Sequence, residues 1–503
     1  MNITTILEMA ADAFPDRVAV VAGDARLTYA ELLSQSRSAG GFVKASAARY
    51  LAMLDVSSVA TPVAIFGAAF GGVPYVPLNY RLTDGELNEL VKRIDTAVLV
   101  TNEANRQRLH ADAGVALIDR AEFLAIAAGG GREPEPADDE RVVAVQLFTS
   151  GTTGKPKAAI LRHENLMSYI LGTVEFASAA EDDATLITVP PYHIAGISAV
   201  LSATYSCRRA VFLENFDPLT WLSICRRENV SNAFLVPTML ARIIDELASA
   251  AEPWHLPSLK AIAFGGGKMP LAVISKAIEL FPHVDFTNAY GLTETSSTIC
   301  LLDPEDHRTA MSSEDPAIRR RLASVGRPIS TVEIQIRDPE QNVLPPEVAG
   351  DIFVRGGQVA GEYLGIGSAL DAEGWFPTRD RGFLDADGFL FLDGRADDVI
   401  VRGGENISPG EIEEVLLAHP CVADVAVVAI PDQEWGEGIG AAIVLRPDAP
   451  TVSIEQLQLW VKDRLRSSRV PALVEFRSEL PYNELGKILR RLVRDDLKHR
   501  AAG

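Results

Sequence analysis

Apolar and polar positions follow two alternating rhythms over the first 300 residues. Short aliphatic runs at 142–147, 183–189, 233–236, 260–264 and 284–287 read as buried strands. Between them, residues 219–228, 237–250 and 270–281 carry helical patterns, and Pro237 takes a first-turn position that suits proline. Strand and helix in alternation predict an α/β fold with largely parallel, layered sheets. Ligands in such folds gather at the carboxyl ends of the strands. Residues 51–76 are apolar enough to raise a membrane span. Their Ala, Gly and Ser content, with Asp55 and Pro62, favours a buried strand followed by a buried helix.

The rhythm changes after Ser324. Residues 332–336 alternate as a half-exposed strand, 350–354 follow, and 382–393 read as a hairpin turning at Asp387 and Gly388. These predict a small β-rich subdomain. A second boundary falls near 394–404. Beyond it, Ser408 and Glu411 have capping-box spacing, with Pro409 at the first position of a helix reaching residue 419. Strands at 422–430, 441–445 and 473–476 and an amphipathic helix at 454–465 follow, and a last helix is expected to open at Gly486 and Lys487. The expected organisation is a large domain over residues 1–396, built of α/β layers plus the β-rich subdomain, and a small α+β domain over 397–503. The acidic, Gly- and Pro-rich stretch 129–140 reads as a solvated loop.

Composition narrows the function. A chain of 503 residues with 47% hydrophobic and 23% charged content is an ordinary soluble protein with room for more than one domain. Its net charge of −21 argues against a nucleic-acid or anionic-membrane surface, so an anionic ligand needs a local basic pocket. Cys207, Cys225, Cys300 and Cys421 lie far apart without metal-type spacing, so neither zinc nor a disulfide is expected. Glu8, Asp12, Asp16 and Arg17 make the start unlike a signal peptide. A cytoplasmic location is expected.

The strand at 142–147 opens into Phe148 and then TSGTTGKPK at 149–157. Glycines let backbone N–H groups approach an anion, hydroxyls donate further hydrogen bonds, and lysines add charge. The glycine spacing, and Pro156 after Lys155, differ from the common nucleotide P-loop. A surface turn is the alternative reading. YGLTET at 290–295 follows another strand, where Glu294 offers a hard oxygen suited to Mg²⁺ on a triphosphate, or else caps a tight turn. GGG at 265–267 permits close backbone approach, or is a structural turn. Asp380 suits a ribose diol or a turn. His193, Arg395, the glycines at 403 and 404, and Lys487 are each ambiguous alone.

The order of these segments is not ambiguous. TSGTTGKPK at 149–157, YGLTE at 290–294, WFPTRD at 375–380, Gly394 with Arg395, RGGENI at 402–407 and Gly486 with Lys487 together resemble the adenylate-forming superfamily over essentially the whole chain. Within it, the chain is most similar to the acyl-CoA synthetases.

The resemblance implies a large N-terminal domain, a small mobile C-terminal domain and an active site between them. It implies two steps: ATP and a carboxylic acid give acyl-adenylate and pyrophosphate, and a CoA thiol then attacks the adenylate. The implied catalytic set is Lys487, Glu294, Thr149 and His193. Thr149, Ser150, Gly151, Thr152, Thr153, Gly154 and Lys157 match the phosphate loop. Glu294 matches the acid that helps hold Mg²⁺, and Thr293 a phosphate contact. Gly266, Gly267, Asn288 and Tyr290 match the adenine pocket, Ala289 and Gly291 are further cofactor-binding positions, and Asp380 and Arg395 match the ribose contacts. Lys487 matches the lysine that bridges substrate carboxylate and α-phosphate. Asp397 matches the hinge, Gly403 and Gly404 the passage for pantetheine, and His193 an aromatic gate.

His193, Val236, Thr238, Gly265 and Leu292 are the expected acid pocket. Its apolar run 236–240 leans towards a fatty, alicyclic or aryl acid, with dicarboxylates disfavoured. Arg379 stands where the family usually has glycine; pairing with an acid, reaching a phosphate and altering the ribose contact are all open. Expected partners are ATP, Mg²⁺, CoA and a small carboxylic acid, with a homo-oligomer open. One rival is an adenylating enzyme that loads a carrier protein, although no carrier domain follows Lys487. Another is a catalytically silent nucleotide- or acyl-binding protein, against which the joint retention of Glu294, Arg395 and Lys487 argues.

Overall fold

The computed structural model describes residues 1–501 except 111–113, 131–138, 150–155, 251–253, 396–397, 403–404, 433, 448 and 484–487; for 395, 406 and 499–501 it describes backbone only. The chain divides into two compact units, Met1–Glu333 with Val354–Phe376, and Ile334–Phe353 with Pro377–Gly503.

Among the described residues, the first unit carries two large sheets. One has nine strands in the order Arg327–Pro328, Ser297–Leu302, Asp285–Leu292, Ala261–Gly265, Asn232–Leu235, Ala184–Ile187, Arg209–Phe212, Val18–Ala22 and Ala25–Thr28. From Asp285–Leu292 to Val18–Ala22 every pairing is parallel. Parallel strands need crossovers, which here are the helices Ile194–Tyr205, Pro218–Arg227, Pro237–Ser249 and Leu271–Leu280. The other sheet has eight strands and runs from Gly367–Ser368 through Glu362–Tyr363, Lys157–Arg162 and Val143–Thr149 to Tyr75–Pro77, Tyr50–Leu54, Ala97–Thr101 and Val115–Asp119. The apolar run at 51–76 resolves into the buried strand Tyr50–Leu54 and the buried helix Ala60–Gly71. Among the described residues, no helix is long and apolar enough to cross a membrane.

The second unit holds most of a four-stranded sheet (Val332–Arg337, Gly350–Gly356, Phe376–Leu384, Leu390–Arg395) and a five-stranded one. In the latter, Gly436–Leu445 pairs antiparallel with Val422–Asp432 and parallel with Leu473–Arg477. One face of that sheet packs under the helices Pro409–Leu417 and Ile454–Lys462 through Ile412, Leu416, Leu457 and Val461. Val493 and Leu497 of the terminal helix cover Ala426, Val428 and Ala442. Strand alternation thus supplies two apolar faces, each met by an amphipathic helix.

Three expectations change. The strand expected at 284–287 continues to Leu292, because antiparallel pairing with Ser297–Leu302 holds the extra residues. Ser408 makes no side-chain cap; its hydroxyl donates instead to the Asp393 carbonyl, and Glu411 pairs with Arg469 at 3.2 Å. Tertiary partners outcompete the local capping box. The terminal helix is described from Arg490 to Ala501, and Ile488 pairs with Tyr482 in a β-bridge, so the opening expected at Gly486 and Lys487 falls outside the described helix. The solvated loop expected at 129–140 follows the helix Arg120–Ala128, and residues 131–138 of it lie outside the described residues.

Candidate active site

Parallel register aligns the strand ends of the nine-stranded sheet. Phe264 pairs with Asn288 and Gly265 with Ala289, so the glycine turn at 265–267 and the segment at 288–291 lie side by side. A Cβ on Gly265 would sit 2.2 Å from the Ala289 carbonyl oxygen, closer than any real Cβ contact, so only glycine allows this approach. Gly266 has a left-handed φ of +80°, and the Val236 side chain lies 3.6 Å from its Cβ position; Gly267 is likewise 3.8 Å from the Pro237 ring. Gly266 and Gly267 are exposed, and Asn288 is buried with its amide donating to the Ser324 carbonyl at 3.1 Å. The expected cofactor-binding residues Gly266, Gly267, Asn288, Ala289, Tyr290 and Gly291 are therefore neighbours on two adjacent strand ends.

Past Tyr290 the register slips at a bulge, and the chain enters a short turn, Thr293–Thr295, that displays Glu294. The turn is tightly determined. Gly291 is so close to the returning strand that a Cβ would lie 1.8 Å from the Ser297 carbonyl oxygen. The buried Thr295 hydroxyl donates to the Ser297 carbonyl at 2.8 Å and accepts from the Leu292 N–H at 3.0 Å. Ser296 and Ser297 both have positive φ, +55° and +120°, which side chains adopt at a cost of about 1–3 kcal/mol each. Gln358, fully buried, donates to the Thr295 and Thr298 carbonyls at 3.0 and 2.8 Å and so braces the strained turn.

The other large sheet reaches the same turn. The strand Glu362–Tyr363 pairs with Lys157–Arg162, and the Arg162–Glu362 ion pair at 2.8 Å holds the two together. The Tyr363 hydroxyl donates to Glu294 at 2.8 Å, and the Lys157 ammonium lies 5.3 Å over the same ring, within cation–π range. The Ala360 and Gly361 N–H groups donate to the Glu294 carbonyl at 2.9 and 3.2 Å. Thr149 and Lys157 close the base of the expected phosphate loop as antiparallel partners. Ser150, Gly151, Thr152, Thr153 and Gly154 lie outside the described residues. Neither Tyr363 nor Gln358 was singled out from sequence. An aromatic between Gly361 and Gly365 is the only local signal for Tyr363, and none marks Gln358.

The expected acid-pocket residues occupy strand ends and helix starts. His193 precedes the helix Ile194–Tyr205, its ring 4.6 Å from that of Tyr192, which meets Tyr80 edge-on at 5.3 Å. Val236 is buried just before the helix Pro237–Ser249, and Thr238 lies in its first turn. A Cβ on Gly265 would lie 3.4 Å from the Phe234 ring, and Leu292 flanks the Glu294 turn.

In the second unit, Asp380 is buried and pairs in register with Arg395 across two antiparallel strands. The Thr378 hydroxyl fixes that strand, donating to the Ile352 carbonyl at 2.8 Å and accepting the Asp380 N–H at 3.1 Å. Arg379 between them is exposed and has a φ of +63°. An arginine thus occupies a left-handed position that suits the glycine usual in the resembled family. Asp397, Gly403, Gly404 and Lys487 lie outside the described residues.

Residues 7–364 match the family model described as AMP-binding enzyme, and residues 411–487 match the AMP-binding enzyme C-terminal domain. Feruloyl-CoA synthase from Amycolatopsis sp is 31% identical over 499 residues, which are 95% of this chain and 96% of that protein. A 2-succinylbenzoate–CoA ligase from Bacillus subtilis (strain 168) is 32% identical over 491 residues, 96% of each. Among solved structures, o-succinylbenzoate CoA synthetase (MenE) from Bacillus subtilis in complex with the acyl-adenylate intermediate OSB-AMP superposes with a TM-score of 0.82 at 29% identity, covering 97% of this chain and 98% of that one. ATP-bound MatB from Rhodopseudomonas palustris shares the fold, with a TM-score of 0.86 at 24% identity and 99% of both chains covered.

Proposed function

The chain belongs to the AMP-binding enzyme family and is an acid–thiol ligase, and we propose that it joins an aryl carboxylic acid to CoA through an acyl-adenylate. The carboxylate oxygen attacks the α-phosphorus of ATP and pyrophosphate leaves. The CoA sulfur then attacks the acyl carbon and AMP leaves, giving the thioester.

One observation carries the assignment of roles: Tyr363 joins Glu294 to Lys157. These residues are distant in sequence, yet the fold sets an acid, a cation and the base of the glycine-hydroxyl loop around one ring. Mg²⁺ fits this arrangement. Among the described residues, no group of three His, Cys, Asp or Glu side chains is placed to hold a metal alone. A single carboxylate completed by phosphate oxygens and water is the usual Mg²⁺ environment on a nucleotide. Glu294 would hold the ion there, and the ion would supply positive charge against that of the departing pyrophosphate. Glu294 is oriented for it by the Tyr363 hydroxyl, Lys157 and Thr149 flank the phosphates, and Thr293 contacts them. Gly266, Gly267 and the 288–291 strand take adenine, while Asp380 and Arg395 take ribose.

In this reading Lys487 lies between carboxylate and α-phosphate, where its charge offsets the repulsion of two anions and stabilises the pentavalent phosphorus. Asp397 is the pivot that brings it there. The named activities of the relatives and the apolar surroundings of Val236 and Phe234 support an aryl acid, with His193 as its gate.

Lys487→Ala should slow acid-dependent pyrophosphate release roughly 10²–10³-fold while thioester formation from supplied acyl-adenylate changes far less. Equal loss in both half-reactions of a folded variant would remove the lysine from this role. Pyrophosphate release across hydroxycinnamic, benzoic, 2-succinylbenzoic and fatty acids tests the substrate. A preference for fatty acids overturns the aryl reading. Preference for a purified carrier protein over free CoA overturns the acceptor.

A further inference from the structure

Gln358 has no exposed surface, and a buried amide is costly unless its donors and acceptor are used. Its N–H₂ group donates to the Thr295 carbonyl at 3.0 Å and the Thr298 carbonyl at 2.8 Å, while its oxygen accepts the Thr331 hydroxyl at 3.0 Å. These three bonds fix the amide, because a flipped one would set its oxygen against two carbonyl oxygens. Thr331 is in turn placed by glycines. A Cβ on Gly172 would lie 2.4 Å from the Thr331 methyl, and one on Gly356 2.4 Å from its carbonyl oxygen.

The two carbonyls that Gln358 grips bracket Ser296 and Ser297, both at positive φ. Side chains disfavour that region, and relaxation of either serine would turn the peptide units next to Glu294. The residues that follow Gln358 hold the acid itself. The Ala360 and Gly361 N–H groups donate to its carbonyl, and the Tyr363 hydroxyl donates to its Oε1. One short segment, 358–363, thus fixes the strained turn, the backbone and the carboxylate of a single residue. A glutamine that merely filled the core could bond any nearby carbonyls. This one spans the strained pair, on the segment that also carries the partner of the carboxylate.

We propose that Gln358, with its amide oriented by Thr331, is a positioning residue that sets how tightly Glu294 holds Mg²⁺ on the nucleotide. The proposal rests on the reading of Glu294 given above. A lone carboxylate has no neighbouring protein ligand to compensate when it moves. Loss of a group that hydrogen-bonds around a metal ligand commonly costs roughly 10–100-fold in metal affinity. Gln358 touches neither adenine nor ribose positions, so its influence is confined to the metal-dependent part of nucleotide binding.

The test uses the full chain without an acid substrate, so that no turnover occurs. Calorimetric titrations compare ATP with Mg²⁺, ATP with EDTA, and AMP alone. In the parent, Mg²⁺ should tighten ATP binding, and Glu294→Gln should remove most of that gain. Gln358→Met, similar in shape but without the amide, should reduce the gain roughly 10-fold while AMP affinity stays within about twofold of the parent. Gln358→Glu, protonated among carbonyls, keeps one donor and should fall between Gln358→Met and the parent. Thr331→Val should reduce the gain roughly 3-fold, the scale of one hydrogen bond. Adding Gln358→Met to Glu294→Gln should cost the Mg²⁺ gain nothing further. Equal weakening of AMP and of ATP with Mg²⁺, or a further loss in the double variant, would show a purely structural contact and overturn the proposal. If Gln358→Met does not fold, the shape-conserving Thr331→Val decides by the same comparison. The two readings fail differently. An intact Mg²⁺ gain in Glu294→Gln removes both, whereas its loss there with parental values in Gln358→Met and Thr331→Val removes only the role of Gln358.

Discussion

The glycine-bearing strand ends of the first unit and the segments on either side of 483–487 in the second are built by opposite means. At 265–267 and 288–297 the geometry is written in backbone: parallel register, two glycines with no room for a Cβ, and two serines at positive φ. At 480–494 it is written in side chains, through a tyrosine–aspartate bond and an arginine–glutamate pair attached to an ordinary helix and strand. Backbone geometry resists small perturbation because nothing in it has a second rotamer. Side-chain clamps can be loosened one at a time.

The sharpest way to break this contrast is Gly291→Ala. The new Cβ would meet the Ser297 carbonyl, which no rotamer can relieve, so a loss of about 2–4 kcal/mol in stability is expected. Both half-reactions should fall with it. Denaturant unfolding with both half-reaction assays checks this; a stable, active Gly291→Ala would deny that backbone contact defines the first site.

Acid separates the units by sign. His163 is buried in the first unit, where its Nδ1 accepts the Ile3 N–H, and burial together with the nearby N-terminal ammonium lowers its pKa to about 4. The folded state therefore resists a proton that the unfolded chain takes up at about 6.5, so stability falls as pH drops through that window. Between pH 7 and 5 the loss from this one group should be about 2 kcal/mol, and His163→Gln should abolish that share. Asp424 in the second unit shifts the other way: its raised carboxyl pKa makes folding less favourable as pH rises through it. Hydrogen exchange at pH 5 and 7 should show acid loosening around His163 and none around Asp424. The same loosening around both would erase the contrast.

The smallest effect is expected at Arg379. Replacing it with glycine relieves a left-handed arginine at the cost of chain entropy, for a net gain of about 0.5 kcal/mol. An unchanged KM for ATP would place its exposed side chain outside the ribose contact; a large rise would make it a ligand group.

Periodicity and glycine placement made much of this molecule legible before any coordinates. The alternation of strand and helix predicts the α/β layers, and the glycine turn at 265–267 and the YGLTE segment read as strand-end features, because each depends on residues adjacent in sequence. Where neighbours in space decided, local reading went astray or was silent. Ser408 and Glu411 spell a capping box, yet the Asp393 carbonyl and Arg469 take their side chains.

What the sequence determined by itself was the chemistry available at each strand end, since residue type and local spacing set hydrogen-bonding capacity, charge and backbone freedom. Tertiary structure alone decided which of those groups meet. Tyr363 reaches Glu294 because its strand pairs with Lys157–Arg162, and Arg490 finds Glu413 because the terminal helix and Pro409–Leu417 both pack on the strand Val422–Asp432 at the end of the sheet. Such meetings depend on register and packing between segments many residues apart, which no local pattern encodes.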